Sequence, residues 1–313
     1  TEMKELYDAV IIGAGPAGLT AGLYLARACV KVILLEKFQP GGQALLTDKI
    51  ENYPGFPEPV AGPELMERMK KQAETFGLKI MDQEVTEVTR AGPAYLIKST
   101  QSEYLSKAVL IATGAISRKL GVQGEERLTG RGVSYCATCD GPFFRGKEIL
   151  VVGGGDRAIE EALFLTRFAD KVNIIHRRGR LRAAKILQER AEKSPKINFI
   201  LESVVTEILG EEKVEKVAAK NVKTGENFKI PSQGVFIFVG TEPHTSFLKG
   251  SIPLDEKGFI ITDEFMQTSL PGIFACGDCR KKILRQVVTA CSDGAVAAAS
   301  AQTYIEHFGK TNI

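Results

Sequence analysis

Two cysteines three positions apart, Cys136 and Cys139, with Asp140 directly after them, are the residues of this chain best placed to do chemistry. A C-x-x-C pair can close a small disulfide ring and exchange it with another thiol. Exchange needs one accessible thiolate to attack and a route for the leaving thiol's proton. A carboxyl group at Asp140 could move that proton if its own pKa is raised. An Asp ahead of Gly141 and Pro142 also suits a plain turn. A second pair, Cys276 and Cys279, has the same spacing. Two such pairs could form a four-cysteine zinc site, but the 136 residues between them are unlike a compact zinc ribbon. No metal is therefore expected. Cys276 and Cys279 are read as small residues around Gly277 and Asp278, with a secondary redox role as the alternative. Cys29 and Cys291 fall in small-residue, helical contexts and are expected to be buried bystanders.

The elements that must position these groups come from an internal repeat. Residues 7–37 align without a gap to residues 147–177 at a constant offset of 140. Gly13 matches Gly153, Gly15 matches Gly155, Gly18 matches Ala158, and Val32 matches Val172. Each copy runs apolar strand, glycine turn, amphipathic helix, apolar strand, which is half of a doubly wound nucleotide-binding unit. The expected fold class is α/β, with two Rossmann-like nucleotide-binding domains, the second inserted into the first. Strand-plus-glycine endings at AVLIATG and GVFIFVG precede two crossings, near 114–119 and 240–247. The domains are expected at 1–116, 117–244 and 245–313, the first and last forming one body.

In the first copy Gly13 allows the tight turn, Gly15 lets the backbone approach a pyrophosphate, and Gly18 lets helix and strand pack closely. The free N–H groups at the helix start favour phosphate. Glu36 ends the second strand, where a carboxylate accepts both ribose hydroxyls and repels a 2′-phosphate. This site suits FAD or NAD. In the second copy the offset puts His176 where Glu36 stands, 23 residues after the first glycine in each case. Arg177 and Arg178 follow at once, with Arg180 and Arg182 close behind. Guanidinium forks in place of a carboxylate invert the preference toward a 2′-phosphate, so NADPH is expected over NADH. Arg180 is the arginine that best suits a merely solvated strand end. Arg157, inside the turn, either helps hold the pyrophosphate or faces water.

Composition narrows the function classes. The chain has 313 residues, enough for two domains, with 44% apolar and 25% charged residues and a net charge of +3. That charge is too small to argue for nucleic acid or an anionic membrane. No apolar run reaches the roughly 18–20 residues that span a bilayer, and the first residues lack a basic-then-apolar signal pattern. Six cysteines are too sparse for a disulfide scaffold. A cytoplasmic location is expected.

With these residues in hand, the sequence resembles the low-molecular-weight thioredoxin reductases of bacteria and archaea, from about residue 7 to residue 306. The motifs that carry the likeness are GAGPAG, GGQ, ENYPGF, ATG, CATCD, GGGDxA, HRR with a further arginine, and FxxGD followed by RQ. The resemblance implies a homodimeric flavoprotein that moves electrons from NADPH through FAD and a Cys136–Cys139 disulfide to thioredoxin, with Cys139 toward the flavin, Cys136 attacking the partner, and Asp140 handling protons. It implies that Gly13, Gly15, Pro16 and Ala17 hold the FAD pyrophosphate, and Glu36 the ribose. Gly42, Gln43 and Asn52 would lie along that cofactor, Val85 at the adenine, and Thr113 and Gly114 nearby. Gly277 and Asp278 would meet the ribityl chain, with Arg285, Gln286 and Val287 at the flavin end. For NADPH it implies Gly155, Asp156, Arg157 and Ala158 at the pyrophosphate, and His176, Arg177, Arg178 and Arg182 around the 2′-phosphate. It also implies rotation of the inserted domain about the two crossings.

The chain departs from the family pattern at Arg157 (usually Thr or Ser), Cys276 and Cys279 (usually Ala and Val), His244 (often Asn), and Ser292 in a run that is usually glycine–acid–glycine. The competing readings are a flavin disulfide reductase fed by NADH or ferredoxin, or acting on another redoxin; a flavin–NADP reductase without a disulfide step; and a zinc-stabilised nucleotide sensor. Relatives fed by ferredoxin generally lose the HRR arginines, which this chain keeps.

Overall fold

The computed structural model describes residues 5–47, 50–248 and 250–309. The first four residues, on which the reading of a missing signal pattern partly rests, lie outside them. The chain forms two compact units, one of residues 1–116 with 242–313 and one of residues 117–241.

In the first unit a seven-stranded sheet contains β1 (Leu6–Ile12), β2 (Val32–Glu36), β3 (Lys79–Asp82), β4 (Val85–Ala91), β5 (Ala94–Ser99) and β6 (Glu103–Ile111), in the order β3-β2-β1-β6-β5-β4. Ile273–Ala275 adds a further parallel strand against β6. β1, β2, β3 and β6 are mutually parallel where they pair, whereas β4 and β5 join as an antiparallel ribbon. The central strands are continuous apolar runs because both faces are covered. Ile11, Leu34 and Leu110 feed one core, and Val10, Ile33 and Val109 feed the other. Two helices, α1 (Pro16–Arg27) and the long Val287–Glu306, share the first of these cores. They approach so closely at Gly294 that a Cβ there would collide with the Ala17 carbonyl.

The second unit has a parallel sheet in the order Ile197–Ile200, Lys171–Ile175, Glu148–Val152, Gly234–Ile237, Val133–Ser134, plus a three-stranded antiparallel sheet over residues 203–231. The repeat seen in the sequence reappears as strand register. Ala9 pairs with Val32 and Ile12 with Leu35 in the first unit; Ile149 pairs with Val172 and Val152 with Ile175 in the second, each 140 positions on.

The second crossing falls at 241/242, three residues before the boundary read from the sequence. The cause is local. His244 is bonded through its backbone on both sides, its N–H to the Gly114 carbonyl at 3.2 Å and its carbonyl to Thr113 Oγ1 at 2.7 Å.

Candidate functional site

The first glycine turn leaves β1 at Ile12. Gly13 has φ +102°, and a Cβ there would lie 2.5 Å from the Ala112 carbonyl oxygen. A Cβ on Gly18 would collide with the Gly13 carbonyl. Both positions therefore need glycine for packing. Gly15 is different: it caps α1 with no side-chain hydrogen bond, Pro16 follows as the first helical residue, and a Cβ on Gly15 would meet nothing within 4 Å. The helix thus presents free N–H groups to open space, the arrangement that binds phosphate. Gly42, with φ +59°, backs the turn, its Cβ position 3.2 Å from Gly15 Cα, and Gln43 is exposed on the same one-turn helix, Gly42–Leu46.

Glu36 is held by this turn. One carboxylate oxygen accepts the Ala14 N–H at 2.7 Å, the other the Phe38 N–H at 3.0 Å. Beside it opens a cleft of about 380 Å³ lined by Ile12, Gly13, Leu35, Glu36, Lys37, Gln83, Glu84, Val85, Thr113, His244 and Phe247. Glu36, Val85 and Thr113, far apart in sequence, share it. Lys37, Glu84 and His244 add a charged wall that motif reading did not assign to this place. Lys37 Nζ lies 3.4 Å from His244 Nε2 and 3.7 Å from the Glu84 carboxylate. Burial, and then Lys37, push the His244 pKa down.

The far end of this site is built by a clamp. Asp293, on the long helix, takes the Arg280 guanidinium at 3.0 Å on one oxygen, and Lys282 Nζ at 2.7 Å and the Gly277 N–H at 3.1 Å on the other. Gly277 packs against Ala17, its Cβ position 2.8 Å from the Ala17 Cβ. The loop so fixed presents Asp278, whose Oδ1 is buried without a hydrogen-bond partner and whose pKa is raised by that burial. Arg285 stacks over Phe259, 4.0 Å to the ring centre, and its donors reach the Asp278, Lys282 and Arg280 carbonyls. Gln286 caps the long helix, accepts from Asn52 Nδ2 at 3.2 Å, and precedes Val287, which packs against the small core cluster that contains Ala44 and Leu65. Sequence reading named Asp278, Arg285 and Gln286 but missed Lys282 and Arg280. Their only signal was a run of cations after GDC.

The second glycine turn repeats the first. A Cβ on Gly153, φ +153°, would lie 2.5 Å from the Phe238 carbonyl oxygen and 2.7 Å from Ala158 Cβ. Gly155 caps the helix Asp156–Leu165 without a side-chain bond and faces open space. His176 is buried against Gly154, and its Nε2 has no partner. Among the described residues, Asp278 Oδ1 and His176 Nε2 are the buried side-chain atoms in that state, one beside each turn. Each is a buried polar atom whose hydrogen bond the chain itself does not supply. Arg177, Arg178, Arg180 and Arg182 are exposed, and none has an ion pair with a described carboxylate. Burial, then Arg182, Arg178 and Arg177, hold the His176 pKa down, so the ring is neutral at pH 7. Arg157 does not simply face water. It lies 5.5 Å over the Phe238 ring and donates to the Tyr135 carbonyl at 3.5 Å.

Cys136 and Cys139 are joined by a disulfide across a single helical turn, Ala137–Asp140, with Cα atoms 5.4 Å apart. Ser134 Oγ accepts the Cys136 N–H at 3.1 Å, and the Cys139 N–H points at Cys136 Sγ, also 3.1 Å. Cys139 is exposed and Cys136 half-buried, so the pair is reachable from solvent. Cys276 and Cys279 are free, fully buried thiols that enter the two opposite cores of the first unit's sheet. Burial raises both pKa values, Cys279 to about 11. Cys29, expected to be buried, is exposed in a left-handed turn (φ 57°) just after α1, because the helix has ended at Arg27. Cys291 is half-buried beside Tyr53.

The pyridine nucleotide-disulphide oxidoreductase family matches residues 7–294. A thioredoxin reductase of Peptoclostridium acidaminophilum is 50% identical over 311 residues, covering 97% of this chain and 98% of its own. The crystal structure of Lactococcus lactis thioredoxin reductase matches with a TM-score of 0.94 at 50% identity, covering 96% and 99% of the two chains. That of T. acidophilum thioredoxin reductase matches with a TM-score of 0.91 at 36% identity, covering 95% and 98%. Two capless glycine turns and an accessible C-x-x-C disulfide, on a chain with these relatives, place it by descent as well as by geometry: it belongs to the pyridine nucleotide-disulphide oxidoreductase family, among the low-molecular-weight thioredoxin reductases.

Proposed function

We propose that this protein is an NADPH-dependent thioredoxin reductase in which the first unit holds FAD, the second holds NADPH, and the Cys136–Cys139 disulfide passes electrons to a thioredoxin. The observation that carries the reading is that disulfide, solvent-accessible and closed on the unit that also bears the second glycine turn. When bound, FAD supplies the two-electron carrier between a nicotinamide hydride and a disulfide.

The residues of the first unit fit such a group. The α1 N–H groups beyond Gly15 take the pyrophosphate. Glu36 keeps lone pairs for ribose hydroxyls after its bonds to Ala14 and Phe38. Asp278 Oδ1 receives a hydroxyl that replaces lost water. On the second unit, Gly155 opens the way to a pyrophosphate, and Arg177, Arg178 and Arg182 offer forks for a 2′-phosphate that NADH lacks. The same arginines favour NADPH over ferredoxin as donor. At the thiol pair, Cys136 attacks the partner's disulfide, the Cys139 thiol resolves the mixed disulfide, and the Cys139 N–H favours negative charge on Cys136. Asp140, next to Cys139, exchanges the protons. The buried free thiols Cys276 and Cys279 suit a reducing cytoplasm, and the family likeness supports a homodimer.

Anaerobic titration with NADPH followed by thioredoxin, read on the flavin spectrum, tests the proposal. Bleaching by NADPH and recovery on adding oxidised thioredoxin are expected. In Cys139→Ser, bleaching should persist and recovery should fail. A flavin that NADPH cannot bleach would exclude the reading.

A further inference from the structure

Asp156 opens the helix behind the second glycine turn, where a carboxylate aimed at a bound pyrophosphate would repel it. An acidic residue in a first helical turn suits the helix dipole without any partner. Here it has one. Asp156 Oδ1 accepts the Ala184 N–H at 2.6 Å, and close by the Arg182 N–H donates to the Gly154 carbonyl at 2.6 Å. These two bonds fasten the downstream end of the segment 177–184 onto the glycine turn. Its upstream end is fastened too: the His176 N–H reaches the Ile200 carbonyl, and the His176 carbonyl accepts from Ser203. Arg177, Arg178 and Arg180 stand between these two anchors, and Arg182 sits at the downstream one.

We infer that Asp156 is a positioning residue for 2′-phosphate recognition, strapping the arginine segment across the turn rather than touching the cofactor. The inference rests on the reading of this unit as the NADPH site. The physical reason is entropy. Long exposed arginines lose rotamer freedom when they close on a phosphate, and a segment already tied down at both ends has less backbone freedom left to lose. The strap acts on the segment that carries the arginines, so it bears on the 2′-phosphate far more than on the rest of the nucleotide.

Calorimetric titration of the full-length holoprotein with 2′,5′-ADP and with 5′-ADP tests this without turnover. Wild type should prefer 2′,5′-ADP. Asp156→Ala should weaken 2′,5′-ADP by about tenfold and 5′-ADP by less than about twofold, the size of one lost charge-assisted bond acting on one phosphate. Asp156→Asn keeps an oxygen for Ala184 and the helix start intact, and should recover most of the preference. Equal weakening of both ligands in either variant would overturn the strap, as would no weakening of either ligand in Asp156→Ala. A wild type with no preference for 2′,5′-ADP would instead remove the NADPH reading on which the strap depends.

Discussion

Lys282 Nζ lies 2.7 Å from Asp293 Oδ2, and the same oxygen accepts the Gly277 N–H at 3.1 Å. A helix residue thereby fixes the loop that presents Asp278. Both side chains are about nine-tenths buried, and Arg280 occupies the other Asp293 oxygen. Removing one partner strands the cations without water. Asp293→Ala is therefore expected to cost about 3 kcal/mol of stability and to speed FAD release. Denaturant titration checks the first effect and flavin fluorescence the second. An unchanged midpoint would mean the clamp carries no weight.

Asp278 should behave in the opposite way in the cofactor-free protein. Burial raises its pKa in the fold, so ionisation disfavours the folded state. Its contribution is most favourable below the ordinary carboxylate range and is lost as pH rises through the raised value. Asp278→Asn apoprotein should thus melt higher than wild-type apoprotein at pH 7, the gap closing toward pH 4, while FAD binds more weakly. Melting curves across that range decide it. A variant apoprotein less stable than wild type at neutral pH would contradict the account.

His244 makes the cleft beside Glu36 sensitive to acid. Lysine can only donate, so the 3.4 Å contact with Lys37 needs an unprotonated His244 Nε2. Burial and Lys37 lower the His244 pKa below 6.5, with Glu84 and Glu36 opposing them. The fold favours the neutral ring, so apoprotein stability should be constant from pH 8 down to that region and fall below it, as a second cation forms beside Lys37. His244→Asn should flatten the dependence. Apoprotein melting curves across that pH range provide the test, and a variant with the wild-type pH profile would remove His244 as the cause.

The thiols should separate by burial. Cys29 is exposed, whereas Cys276 and Cys279 are sealed and their pKa values raised. A thiol reagent at pH 8 should label Cys29 quickly in the oxidised protein and leave Cys276 and Cys279 until unfolding. After reduction by NADPH, two further fast thiols should appear, and Cys136→Ser should abolish that increment of two. Rapid labelling of Cys276 or Cys279 in the native state would show that those cores open. Alanine at either buried position should leave turnover within about twofold, since neither thiol reaches solvent.

Much of this was open to reading in the chain because it depends on neighbours in sequence. Glycine spacing, apolar strands and the offset of 140 specify two strand–turn–helix–strand units, and the register Ala9–Val32 recurs as Ile149–Val172. The exchange of Glu36 for His176 is equally local. Tertiary structure decided the rest. Two cysteines three positions apart went to opposite cores, because the Gly277 turn lies between them. Arg157 folded over Phe238, and Asp156 turned to Ala184, partners that only chain packing brings near. His244 entered the cleft beside Glu36 because Thr113 and Gly114, about 130 positions earlier, hold its backbone. Spacing dictates what a backbone can adopt locally; where a side chain's polar atoms find partners is settled by elements that meet only in the folded chain.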